Sequence, residues 1–269
     1  MDRYLLKNII IIILVLVNGF LLGSLAVRQT SENRSRRQSE EQLVELFAAD
    51  EITLDIDAIS HQDPPVSLSF TRDTQRELEA AVFFLGEEVV QENQGGGINT
   101  YTSSLGTATF RSNGSFDIKG TLVSENAQSR CEKFCRALSF SEPVFFWDDT
   151  GLFCGKAQYL HNKLPVLNCS VTFIVEDGIL TSVNGSLLPE EGTPVTDPSE
   201  PLTASAALIA FQKIRWENSA GVSAGTAMDP CYEMQSAASS SLSLVPAWCI
   251  VADTSNYYVN CITGAVASG

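Results

Sequence analysis

Histidine is scarce in this chain: His61 and His161 are the two among 269 residues. No Cys-x-x-Cys occurs either. Zinc needs several closely spaced His or Cys ligands, so a metal site is not expected. Cys131 and Cys135 would stand one helical turn apart, which suits a metal only if other ligands join them. Basic residues are also few, 17 Lys and Arg against 32 Asp and Glu. Beyond residue 27 the balance is 15 against 31, a net charge of −16. Phosphate contact needs clustered Lys and Arg, so a general nucleic-acid binder is excluded.

Catalytic patterns are missing as well. No lysine stands three residues after a serine, so the Ser-x-x-Lys acylase pattern is absent. Gly221-Val-Ser223-Ala-Gly225 spells a nucleophile elbow. That elbow needs a strand before it, a helix after it and a later histidine, whereas here a helix precedes it and both histidines come earlier. It is read as a flexible loop. Gly151-Leu-Phe-Cys-Gly155-Lys156 is one residue short of a phosphate loop, and Ala157 stands where a hydroxyl must reach magnesium. Asp148-Asp149 and Glu190-Glu191 are adjacent acids of the kind that turns leave solvated. Asn113-Gly-Ser115 and Asn184-Gly-Ser186 match glycan acceptors but double as Asn-Gly turns. The chain is therefore expected to be no enzyme and to carry no cofactor.

What the chain has in plenty is apolar length at its start. Ile9 to Val27 is a run of 19 residues interrupted by Asn18 and Ser24 as polar side chains. At about 1.5 Å per residue it would span roughly 28 Å, close to a bilayer core. The expectation is a cytoplasmic stub over 1–8, a transmembrane helix over 9–27 and a juxtamembrane helix over 28–50. A cleaved signal, with Ser24-Leu25-Ala26 as its processing site, is the alternative. The basic cluster Arg28 to Arg37 reads as contact with cytoplasmic-membrane lipid headgroups. By arginine count alone it would place the large domain inside. An unpaired amide in lipid is costly, so Asn18 is a candidate helix–helix contact.

The rest is expected to be α+β, with repeated units of a helix and an antiparallel meander, divided into subdomains over 51–125 and 126–269. Thr74-x-x-Glu77 and Ser129-x-x-Glu132 read as capping boxes opening helices to about Leu85 and Leu138. Strands are expected at 98–103, 107–111 and 115–122, then at 152–159, 166–175 and 179–186. Ser112-Asn113-Gly114 and Asp177-Gly178 are turn signals. Residues 189–201 form an acidic, proline-rich linker. Thr203 opens a helix to about Trp216, and strands near 232–237, 247–253 and 257–262 close the chain. The seven cysteines are expected to be buried packing residues, with at least one free thiol by parity.

Three stretches carry a resemblance. The first is the layout of stub, apolar run, charged helix ending Glu-Gln-Leu-Val-Glu-Leu, Ile52-Thr-Leu-Asp-Ile56 and the Pro64-Pro65 pair. The second is Thr172-Phe-Ile-Val-Glu-Asp-Gly-Ile-Leu-Thr-Ser-Val-Asn-Gly185. The third is Val245-Pro-Ala-Trp248 with Thr254-Ser-Asn-Tyr-Tyr-Val-Asn260 and Ile262-Thr-Gly264. Together they resemble the YycI family of two-component-system regulatory proteins, whose end is similar to a PepSY-type hairpin. The resemblance implies a membrane-anchored, single-pass protein with its C-terminal domain extracytoplasmic. It also implies partners, a sensor histidine kinase controlling cell-wall metabolism and a YycH-like protein. Alternatives are an extracytoplasmic ligand-sensing module and a PepSY-type peptidase inhibitor. In the last hairpin a turn at Thr254-Ser255-Asn256 would pair Asp253 with Tyr257, Val251 with Val259, and Cys249 with Cys261 as cross-strand neighbours.

Overall fold

The computed structural model describes residues 14, 17–19, 36–123, 126–195, 199–218, 224–236, 241–253 and 255–268. Helix α1 covers 36–49. After it come β1 (Thr53–Leu54), a 3-10 turn (Ile56–Ala58), β2 (Leu68–Phe70) and α2 (Thr74–Leu85). Then follow β3 (Val90–Gly95), β4 (Ile98–Ser103), β5 (Gly106–Arg111), β6 (Ser115–Val123) and α3 (Ala127–Ala137). The middle of the chain is β7 (Val144–Trp147), β8 (Phe153–His161), β9 (Leu164–Glu176), β10 (Ile179–Ser186) and β11 (Thr193–Pro194). The last part is α4 (Ala204–Asn218), β12 (Ala224–Ser236), β13 (Leu242–Ala252), β14 (Asn256–Asn260) and β15 (Val266–Ser268).

Local chemistry accounts for many of these boundaries. Asp177 and Gly178 both have positive φ, 49° and 79°, as a type I′ hairpin turn requires between β9 and β10. Asn113 Oδ1 accepts from Ser115 N, and Gly114 N donates to Arg111 O, which folds β5 onto β6. Gly106 and Gly120 face each other across that pair. A Cβ on Gly120 would sit 2.0 Å from Leu105 O, so only glycine fits there.

The strands form one mixed sheet ordered β11-β2-β13-β12-β9-β10-β6-β5-β4-β3. Strands β7 and β8 extend from β9, and β14 and β15 extend from β13. The pairs β1–β12 and β9–β12 are parallel. This corrects the expectation of a membrane helix followed by separate antiparallel meanders. Strand β6 of the first expected unit pairs β10 of the second, and parallel pairing joins β12 to β1 near the start of the chain and to β9 in its middle. Among the described residues no helix is long and apolar enough to cross a membrane, so the transmembrane helix over 9–27 is not supported. Most of that run lies outside the described residues; Leu14, Val17, Asn18 and Gly19 are helical and exposed. The juxtamembrane residues 28–35 also lie outside them. Arg36 and Arg37 pair along α1 with Glu40 (3.6 Å) and Glu41 (3.9 Å).

Two cores stabilise the sheet. In the larger, Phe134 of α3 packs against Phe83, Phe84, Phe140 and Phe173, with centroids 4.8–6.2 Å away. Burying one such side chain contributes roughly 1.5–3 kcal/mol. The smaller core joins α1, α4 and the last strands: Phe47 stacks on Phe211, which meets Tyr257, and Trp248 Nε1 donates to Leu202 O at 2.9 Å.

Helix starts differ from the capping-box expectation. Asp73, not Thr74, caps α2, accepting from Gln75 N and Arg76 N. Glu77 is thereby free to turn inward. Helix α3 starts at Ala127, with Asn126 left-handed before it and Ser129 inside the helix. The linker contributes β11, which pairs with β2. Residues 219–223, which hold most of the elbow-like motif, lie outside the described residues.

Candidate functional site

Among the described residues strand β7 has one partner, β8, and its other edge is unpaired. It reads Val-Phe-Phe-Trp, apolar on both faces. Val144, Phe146 and Trp147 are 68%, 42% and 71% exposed. Phe145 is half-buried and stacks on Phe153 at 5.7 Å, and Trp147 lies 5.1 Å from the same ring. Gly155 on β8 makes room for Phe145, because a Cβ there would stand 2.7 Å from its ring.

The strand is held out by its turn. Asp148 Oδ1 accepts from Thr150 N, Thr150 Oγ1 and Leu152 N at 2.7–2.9 Å. These bonds, the Thr150 hydroxyl first, hold the Asp148 carboxyl below its ordinary pKa. Asp148 N also donates to Leu152 O. Hydrogen-bonded pairs alternate along an antiparallel ladder, so 146–154 and 144–156 share that character. The N–H and C=O groups of Phe145 and Trp147 therefore point away from β8, toward the free edge.

Other edges are blunted. Strand β3 is polar through Gln-Glu-Asn-Gln, β11 is two residues ending in proline, and β15 is three residues long. Such features prevent edge-to-edge pairing. Strand β7 is also short, four residues between Pro143 and Asp148, but it carries no polar residue or proline within it. A groove of about 500 Å³ opens beside its start, between α3 and Leu160. One of about 540 Å³ opens at its end, beside Trp147, Phe153 and the β9–β10 turn. Acidic residues rim the edge: Glu142, Asp148 and Asp149 flank β7, and Glu176 and Asp177 stand across the second groove. Lys156 and Arg136 are the nearby exposed bases.

Two polar clusters lie elsewhere in the molecule. Beneath α2, Arg72 donates to Glu77 at 2.6 and 3.0 Å and to Gly97 O and Phe110 O, while buried Asn99 donates to Glu77 at 2.8 Å. Arg76 reaches Leu138 O and Glu190. The adjoining cavity is about 20 Å³, room for a water and no substrate. Its role is to clip α2 to β4 and β5. The other cavity, about 160 Å³, lies beside β14 and β15. There Asn260 Nδ2 donates to Glu233 at 2.7 Å, and Asn260 Oδ1 accepts from Ile262 N and Thr263 N. Its Asn260 and Glu233 are thus already paired with each other.

Asn18 is exposed and helical, with its surroundings outside the described residues. Cys249 pairs with Tyr258, not Cys261, because Ala252 N donates to Ser255 O and closes the turn earlier. Cys261 lies past the end of β14, with its N–H on Pro246 O. The correction also moves Val259 opposite Trp248, onto the face that packs with Ile250 against α4. All seven cysteines are free, and all but the half-buried Cys249 are buried. Burial pushes the Cys131, Cys135 and Cys261 thiols up to about 12. His161 is buried between Phe70 and Tyr232, and burial lowers its pKa. His61 sits 3.4 Å from Glu40. Among the described residues no group of His, Cys, Asp and Glu is arranged to hold a metal. Sequence reasoning passed over β7, whose signal was the unalternating run Val144–Trp147 between Pro143 and Asp148.

No protein-family model matches this chain, and no curated protein matches it. Among solved structures it is similar to an uncharacterized protein from Eubacterium rectale, at 12% identity and TM-score 0.45, over 81% of this chain and 85% of that one. It is similar to the YpeB C-terminal domain of Bacillus megaterium, at 11% identity and TM-score 0.35, over 74% of this chain and 98% of that one. It is also similar to YycH from Bacillus subtilis, at 12% identity and TM-score 0.40, over 77% of this chain and 51% of that one. YycH and the YpeB domain thus stand among its structural neighbours at low identity.

Proposed function

We propose that this chain is a non-enzymatic extracytoplasmic regulator that acts by protein contact. Its target would be a sensor histidine kinase of a two-component system governing cell-wall metabolism, and a YycH-like protein would act beside it. The observation that carries the protein-contact part is β7, an apolar edge strand that no other described strand pairs and that its own turn holds out. Soluble chains avoid such edges unless something pairs with them. The identity of the target rests on the Val245–Trp248 and Thr254–Asn260 segments and the order in which the resembling stretches occur.

The test uses the full chain in its host. It should co-purify with a sensor histidine kinase and change that kinase's autophosphorylation when both are reconstituted. A cysteine placed at exposed Ser268 should react with a membrane-impermeant maleimide on intact cells. Recovery of a peptidase or a wall fragment in place of a kinase, with unchanged autophosphorylation, would overturn the regulatory reading. Labelling only after lysis would overturn the extracytoplasmic assignment.

A further inference from the structure

We infer that β7 receives a strand from a partner protein by edge addition, and that this strand carries apolar residues in its middle and Lys or Arg at both ends. The inference rests on the protein-contact reading above and names the surface and its occupant. Three observations meet at one place. The outward amide and carbonyl groups of Phe145 and Trp147 offer a ladder that β8 does not use. Val144, Phe146 and Trp147 offer apolar contacts on both faces of that ladder. Glu142 stands at one end and Asp148 and Asp149 at the other, while Glu176 and Asp177 lie beyond β8, across the groove beside Trp147.

Charge selects the occupant. A second copy of this chain, adding its own β7 antiparallel, would set its Asp148 and Asp149 against Glu142 and its Glu142 against Asp148 and Asp149. Like charges at both ends oppose that pairing. The same acids oppose an anionic lipid surface, although Trp147 alone would suit one. A strand with basic ends meets acids at each end, in either direction. Lys156, whose strand position faces Val144, stands on the β8 side of the edge, and Arg136 stands on α3 across the first groove; the charged residues that flank β7 itself are acidic.

The experiment uses the full chain and two synthetic peptides, Lys-Lys-Val-Thr-Val-Thr-Val-Lys-Lys and the same core with Glu in place of every Lys. Amide exchange followed by NMR should show protection of Phe145 and Trp147 N–H by the basic peptide, with at least tenfold weaker binding of the acidic one. Trp147→Ala keeps the outward N–H, and Trp147→Pro removes it without touching the β7–β8 ladder. Proline should therefore weaken the basic peptide at least a further tenfold, about 1.4 kcal/mol. Glu142→Lys with Asp149→Lys should reverse the preference between peptides. Equal binding of both peptides, unprotected amides at 145 and 147, or equal behaviour of the alanine and proline variants would overturn the inference. So would binding to phosphatidylglycerol vesicles that exceeds binding to the basic peptide. Kinase co-purification that survives Trp147→Pro sinks the edge alone; its absence in the unaltered chain sinks the regulatory reading.

Discussion

Replacing Arg72 by methionine tests the account of the clip beneath α2. The guanidinium makes two bonds to Glu77, at 2.6 and 3.0 Å, and two to the carbonyls of Gly97 and Phe110. Glu77 is buried, and its remaining partner would be Asn99 at 2.8 Å. Removing one member of a buried pair costs roughly 3–5 kcal/mol, because the other charge stays desolvated. The Arg72 side chain is 23% exposed, so water screens part of that, and the lower end, about 3 kcal/mol, is expected. For a chain of this size that lowers Tm by roughly 6–12 °C. The double variant Arg72→Met with Glu77→Leu removes the stranded charge and should recover at least about 1 kcal/mol of the loss. Urea unfolding followed by far-UV circular dichroism measures both. A loss below about 1 kcal/mol for Arg72→Met, or a double variant no more stable than the single, would refute the clip as a coupled buried pair.

The β7 turn should loosen in acid. Asp148 has a lowered pKa, so its contribution is present above the ordinary carboxylate range and is lost as pH falls through the lowered value. Asp148→Ala should speed amide exchange at Thr150 and Leu152 at pH 7 and abolish that acid dependence; unchanged exchange would contradict the turn's role. The buried thiols act at the opposite end of the scale. Cys131, Cys135 and Cys261 hold their protons up to about 12 in the folded chain, against 9.0 when exposed, so stability is full below about pH 9 and falls as pH rises toward 12. The urea midpoint should drop across that window, and Cys249 should be the first thiol to react with a maleimide at pH 8; equal reactivity of Cys131 would show that α3 does not bury it.

Residues that act on their immediate neighbours were readable from the chain. Asp177-Gly178 turns β9 into β10 because both backbone positions need positive φ, a demand that the dipeptide itself meets. The stretches 98–103, 115–122 and 179–186 read as strands because alternation and turn residues are local signals. The free state of the cysteines also agrees with their small, apolar use in both cores. What escaped depended on who meets whom. The Cys249–Cys261 pairing failed because register follows the turn, and a turn closed between Ala252 and Ser255 shifts every partner beyond it. Glu77 was assigned to a cap, yet Asp73 took that place and Glu77 met Arg72 and Asn99, a choice made by burial against β4 and β5. The mixed sheet rests on parallel contacts such as Tyr232 with Val166, which are far apart in the chain and leave no mark in either segment alone. The edge at Val144–Trp147 was decided the same way. Four apolar residues in a row describe a strand buried on both sides as well as one exposed on both. Only the assembled sheet, which brings β8 to one side of it and nothing described to the other, makes it an open edge.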